Sequence, residues 1–130
     1  MKHNGQSLLA LVILIGSVVA IIGITLAFLA SSFVDSSYGY QASALAEAAA
    51  TSGAEDALLQ LDRNTATSSY SLAVGSTTAT ITITQNSPSA NFVTVLSQST
   101  VAGRTRKIDI VLAQNASTTQ MTVVSWQEIQ

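Results

Sequence analysis

The chain contains no cysteine. That excludes a disulfide framework, thiolate metal sites and a cysteine nucleophile. Its single histidine is His3, so beyond the first few residues neither a histidine-based triad nor a histidine-bearing zinc site can be built. Charge is scarce: 9% of residues are Asp, Glu, Lys or Arg, against roughly 25% in an ordinary soluble domain. Five basic residues face seven acidic ones, for a net charge of −2, a balance that argues against a dedicated nucleic-acid binder. No glycine-rich phosphate-binding motif is present, and the adjacent carboxylates Glu55 and Asp56 would point about 100° apart on a helix rather than converge. Neither an enzyme nor a cofactor or metal site is expected. What is abundant is aliphatic and hydroxyl-bearing. Hydrophobic residues make up 48% of the chain, and Ser and Thr together number 33 of 130. So much aliphatic surface with so little charge excludes a disordered chain.

The few charges are unevenly placed. Between Lys2 and Asp35 stand 32 residues without a formal charge. Within them, residues 8–30 are apolar or glycine apart from Ser17 and Thr25, and 15 of these 23 are Leu, Ile, Val or Phe. Their summed insertion term is about −4.5 to −9 kcal/mol. As a helix the run is about 35 Å long, against a bilayer core of about 30 Å. A transmembrane helix is expected here. Lys2 on one flank and Asp35 on the other place the N-terminus in the cytoplasm by the positive-inside bias. A cleaved secretory signal would have a shorter apolar region of about 7–15 residues, and only Ala30-Ser31-Ser32 offers a passable site for it.

The first residues sharpen this reading. A five-residue leader, Met1-Lys2-His3-Asn4-Gly5, runs directly into Gln6-Ser7-Leu8-Leu9-Ala10-Leu11-Val12. A short basic leader ending in glycine immediately before an apolar helix resembles a type IV prepilin. The resemblance covers the leader, the apolar run and the amphipathic stretch that follows. It implies a membrane peptidase that cuts between Gly5 and Gln6 and methylates Gln6. It also implies a precursor held in the cytoplasmic membrane and a mature chain assembled with other pilin subunits into an extracellular filament of a bacterial cell. The family's major subunits carry a glutamate at the fifth mature position, where this chain has Ala10. Its C-terminal disulfide loop is also missing here. Both departures favour a minor, tip-type or divergent subunit.

Two helical patterns follow one another. Gly16, Ala20, Gly23, Ala27 and Ala30 are spaced 4, 3, 4 and 3 residues apart, which keeps them on one face. A stripe of small residues lets helices approach closely in lipid, so these five form the candidate helix–helix interface. Residues 31–40 are rich in poor helix formers and are expected to bend or melt locally. From 41 to 62 a helical pattern resumes. Ala42, Ala46, Ala49, Ala50, Gly53, Ala57 and Leu61 fall on one face and Glu47, Glu55 and Asp62 on the other, with Arg63 and Asn64 as the stop. A single helix over 6–62 would span about 85 Å.

From residue 65 the pattern becomes β-branched and hydroxyl-rich. Gly75-Ser76 and Ala102-Gly103 read as two-residue hairpin turns. Closing the first pairs Leu72 with Ala79 and Tyr70 with Ile81. Closing the second pairs Val95 with Ile110 and Val93 with Leu112. Both registers gather apolar residues on one face, which a one-residue slip would reverse. A further strand is expected over 119–126, and Pro88 belongs to the loop between the hairpins. The expected fold is α+β. A leader (1–5) precedes a long helix (6–64) with its membrane segment at 8–30, packed on an antiparallel head of about five strands (65–130).

Arg104, Arg106 and Lys107 form the one basic cluster. It reads either as a charged hairpin tip that discourages edge pairing or as a contact for an acidic partner such as a neighbouring subunit, DNA or a surface polymer. Asn115-Ala116-Ser117 matches a short glycosylation pattern. Two function classes stand: a structural subunit assembled through its N-terminal helix, and a single-pass anchored binding domain that never assembles.

Overall fold

The computed structural model describes residues 4–63, 68–118 and 120–129, with side chains from Gln6 onward. Met1, Lys2 and His3, together with the expected helix stop at Asn64 and strand start at Thr119, lie outside the described residues. The fold is α+β: one helix, α1 (Asn4–Asp62), then β1 (Tyr70–Val74), β2 (Thr77–Gln85), β3 (Phe92–Val101), β4 (Arg104–Gln114) and β5 (Met121–Ile129). The chain divides into two units, one ending at Tyr38 and the other beginning at Gly39.

The first unit is helical throughout its described length, and the expected break at 31–40 does not occur. The serines there are accommodated by back-bonding: the Ser36 hydroxyl donates to the Ser32 carbonyl at 2.9 Å. The same device serves the two polar residues of the apolar run. Ser17 Oγ donates to the Leu14 carbonyl and Thr25 Oγ1 to the Ile21 carbonyl, each at 2.8 Å. A hydroxyl satisfied by its own helix carries no unpaired donor into an apolar surrounding. Poor intrinsic propensity thus costs a few tenths of a kcal/mol per residue without interrupting the ladder.

The second unit is a meander. Its five strands lie in the order β1-β2-β3-β4-β5, all antiparallel. Leu72 faces Ala79 and Tyr70 faces Ile81; Val95 faces Ile110 and Val93 faces Leu112, as the hydrophobic pattern requires. The β1–β2 turn uses Gly75 at φ +59°, and the β3–β4 turn uses Ala102 at +46° and Gly103 at +75°. Positive φ at the first central residue of the β1–β2 turn and at both of the β3–β4 turn matches the twist of two-residue hairpins. Pro88 lies in the β2–β3 loop. β5 starts two residues beyond the expected Thr119 and runs three past Trp126, and a bulge in its pairing with β4 falls between Val111 and Leu112.

One sheet face is hydroxyl-rich and exposed at Thr78, Thr80, Thr82 and Thr84 of β2. The other packs on the C-terminal part of α1. Ala42, Ala46, Ala49, Ala50, Ala57 and Leu61 are buried there, joined by Ala54, while Glu47, Glu55 and Asp62 are exposed. Opposite them Ile81, Val93, Val95, Ile108, Ile110 and Leu112 complete the core. The approach is closest at Gly53, where an added Cβ would stand 2.6 Å from Ser97 Oγ and 2.8 Å from Ala79 Cβ. Gly53 therefore serves as a contact point rather than as a helix breaker. The fully buried Ser97 hydroxyl donates to the Ala50 carbonyl at 2.7 Å, tying β3 to the helix.

Candidate assembly surfaces

The first surface is the apolar part of α1. Every residue from Gln6 to Tyr38 whose side chain is described is exposed. Exposure of the large apolar residues from Leu8 to Leu29 runs from 47% to 73%. The helix is long and apolar enough to cross a membrane. Gly16, Ala20, Gly23, Ala27 and Ala30 all lie along this uncovered helix, and a Cβ added at Gly16 or Gly23 would meet nothing within 4 Å. Among the described residues no neighbour requires Gly16 or Gly23 to be small. Gly5 falls in the first turn of α1, with its surroundings outside the described residues, and Gln6 is exposed. Ala10 is exposed on the same apolar helix.

The second surface is the basic end of the head, where the three candidate cations have three different settings. The Arg106 guanidinium is engaged within the chain. Nε and Nη2 donate to Ser43 Oγ at 2.9 and 2.7 Å, and Nη1 pairs with Glu128 at 2.8 Å. Lys107 is half-buried and faces the hydroxyl-rich side of the sheet together with Asp109. Arg104 is exposed, with its guanidinium over Gly39, whose added Cβ would lie 3.3 Å from Nη2. The basic run in the sequence is therefore not one patch. Strand alternation turns Lys107 away from the arginines, and Ser43 and Glu128 occupy Arg106.

The third surface is absent from the motif reading. A groove of about 420 Å³ opens where the last turns of α1 meet β4 and β5. Leu58, Leu59, Leu61, Leu112, Met121 and Val123 line it, and Glu55 and Asp62 stand at its rim. It exists because β5 is an edge strand that the helix does not cover, leaving Val123 47% and Trp126 43% exposed. The exposed leucine at 59, off the alanine face, was a signal for it in the sequence; the identity of the opposing strand residues was not.

Beside the groove, Asp56 has a role that its charge alone hid. Its carboxylate accepts hydrogen bonds from the Tyr70 hydroxyl at 2.7 Å and from Gln60 Nε2 at 2.6 Å. Burial, the hydrogen bond and the nearby Asp56 charge all push the Tyr70 phenol well above the ordinary tyrosine range. The neutral phenol fastens β1 to α1. Asp56 and Gln60 stand four apart, a helical pair visible in sequence; Tyr70, 14 residues on, was not. Asn115 Oδ1 accepts from the Ser117 backbone N–H at 2.9 Å in the exposed β4–β5 turn. Among the described residues no group of three or more His, Asp or Glu is placed to hold a metal ion.

Comparison of the chain with protein-family models, with curated proteins and with solved structures finds no match.

Proposed function

We propose that the chain is a structural subunit of a type IV pilus-like filament. It is inserted in the membrane as a prepilin with its N-terminus in the cytoplasm, cleaved after Gly5 and assembled through its apolar helix. The observation that carries this reading is the contrast within α1. One continuous helix has an apolar part that is exposed among the described residues and a later part buried by its own sheet. An apolar surface of that extent needs lipid or other helices around it, and a filament of packed helices supplies the second after the first. The short leader ending at Gly5, placed directly before the apolar run, supports processing by a prepilin peptidase. Ala10 in place of the major-subunit glutamate supports a minor, tip-type or divergent subunit, the last assembling through packing alone. The role is mechanical, with no reaction catalysed.

Mass spectrometry of the mature N-terminus tests this. The expected chain begins at methylated Gln6 and is recovered in sheared surface filaments. Gly5→Val is expected to stop cleavage and hold the protein in the membrane. A wild-type chain that keeps Met1 and stays in the membrane would instead make it a plain anchored domain.

A further inference from the structure

The head has two unlike ends. α1 enters it at Gly39, beside Arg104, and passes Ser43 against Arg106 and Ala50 against Ser97 before reaching the groove at Leu58–Asp62. At the entry end, Glu128 neutralises Arg106 and Asp109 shares a sheet face with Lys107. Arg104 is the exposed cation there, with no ion pair among the described residues. Following Gly39 in the helix, Tyr40 is 79% exposed. At the far end, Tyr70 and Gln60 hold Asp56, while Glu55 and Asp62 remain at the rim of the apolar groove. The helix C-terminus adds partial negative charge to that end, and exposed Arg63 offsets part of it.

We propose that a second copy of this chain docks its Tyr40–Arg104 end into the groove. The Tyr40 ring covers Leu59 and Met121, and Arg104 meets Glu55 and Asp62. The observation that picks this occupant is complementarity: one end offers a projecting aromatic and a cation, the other an apolar recess rimmed by carboxylates. Heads packed with their own portions of α1 parallel present these unlike ends to one another, because α1 enters every head at the basic end and leaves it at the groove. The contact is heterologous, so each copy keeps one unused end and the contact propagates into a filament rather than closing as a dimer. This rests on the filament reading above, in the form in which copies of a divergent subunit adjoin one another, and names the head-to-head surface that would accompany helix packing.

The absence of cysteine makes the test clean. In the full-length chain, Gln41→Cys beside Tyr40 and Gln120→Cys beside Met121, both at exposed positions outside the contact, are introduced together and singly. Filaments and membranes are separated by shearing and oxidised with copper phenanthroline. The double variant is expected to give a ladder of dimers, trimers and larger species, and the single variants none. Arg104→Glu alone, or Glu55→Lys with Asp62→Lys, is expected to weaken the ladder about tenfold through like-charge contact. Combining all three is expected to restore it to within about twofold. Unfolding followed by the single tryptophan, Trp126, verifies each head; a reversal that unfolds it is replaced by Arg104→Gln or by Glu55→Gln with Asp62→Gln, each again lowering the ladder.

A dimer from either single-cysteine variant would show a two-fold contact and overturn the proposal. Sheared filaments without a ladder would overturn the docking while leaving the filament reading intact. A chain confined to the membrane with its leader uncut, giving neither filament nor ladder, would overturn both. A cross-linked product whose mass contains a different protein would replace the second copy as the occupant.

Discussion

The two parts of α1 carry the same chemical device with opposite outcomes. In residues 16–30 glycine and alanine recur every three or four positions, and the helix around them is exposed. In residues 42–57 the same spacing of alanine and glycine is buried almost completely against the sheet. The later stripe shows what such a face does when it finds a partner: at Gly53 the helix backbone comes so close to β2 and β3 that a methyl group would clash. The earlier stripe has the composition without the partner. Small residues let a helix come close to a partner where one is present, as at 42–57; on the filament reading proposed above, the earlier stripe does the same between chains.

Placing the same bulky residue in both stripes breaks this comparison most forcibly. Gly53→Leu forces a side chain into Ser97, Ala79 and Ile81. It is expected to cost the head about 3 kcal/mol or more, read as a lower midpoint in denaturant by Trp126 fluorescence. Gly23→Leu enters open space, so the head midpoint should stay within about 0.5 kcal/mol of wild type while filament yield falls. Equal filament yield from Gly23→Leu would mean that the first stripe contacts nothing. Loss of head stability would mean that the two parts of the helix are not independent in this respect.

A smaller effect isolates how the covered part is fastened. Tyr70→Phe removes the hydrogen bond to Asp56 and is expected to cost about 1–2 kcal/mol at neutral pH. The sign of its pH dependence follows from the raised phenol pKa. The folded head holds the proton more tightly than the unfolded chain. This contribution is therefore complete below the ordinary tyrosine value of about 10 and drains away as pH rises above it. Wild type should lose stability more steeply than Tyr70→Phe in that alkaline window, and parallel curves would remove Asp56–Tyr70 as the fastening. The smallest expected change is a gain. Ala102 sits at φ +46°, a region that costs a non-glycine residue roughly 1–2 kcal/mol. Set against the larger unfolded-state freedom of glycine, Ala102→Gly should stabilise the head by about 0.5 kcal/mol, visible as a small rise in the same midpoint.

What was legible in the sequence was whatever repeats with a period. The alanine face of 42–61 and the two hairpin registers follow from spacing, because burial on one side writes a periodic signal, while the apolar run at 8–30 was legible from its unbroken length and lack of charge. What was not legible was pairwise. Ser97 to Ala50 and Tyr70 to Asp56 join residues 47 and 14 positions apart, and a single side chain leaves no period. The basic cluster shows both sides: alternation along a strand separates Arg104 and Arg106 from Lys107 and Asp109, as strand periodicity alone implies, whereas Ser43 and Glu128 as the partners of Arg106 are pairwise facts without a period. The serines at 31–37 misled through propensity, a weak preference that back-bonding such as that of Ser36 accommodates.

The strand order carries a consequence for how the head comes into being. Each strand pairs with the one made just before it, and the helix that covers the sheet precedes them all. A chain emerging N-terminus first therefore holds each growing edge open only until the next strand in sequence arrives. Each new strand closes the last gap and opens only the next, so chain-closure costs are met in short loops, one at a time. Synthesis and folding can keep step, and an incomplete head exposes a single growing edge at any moment, which limits the time in which neighbouring unfinished chains can add to it.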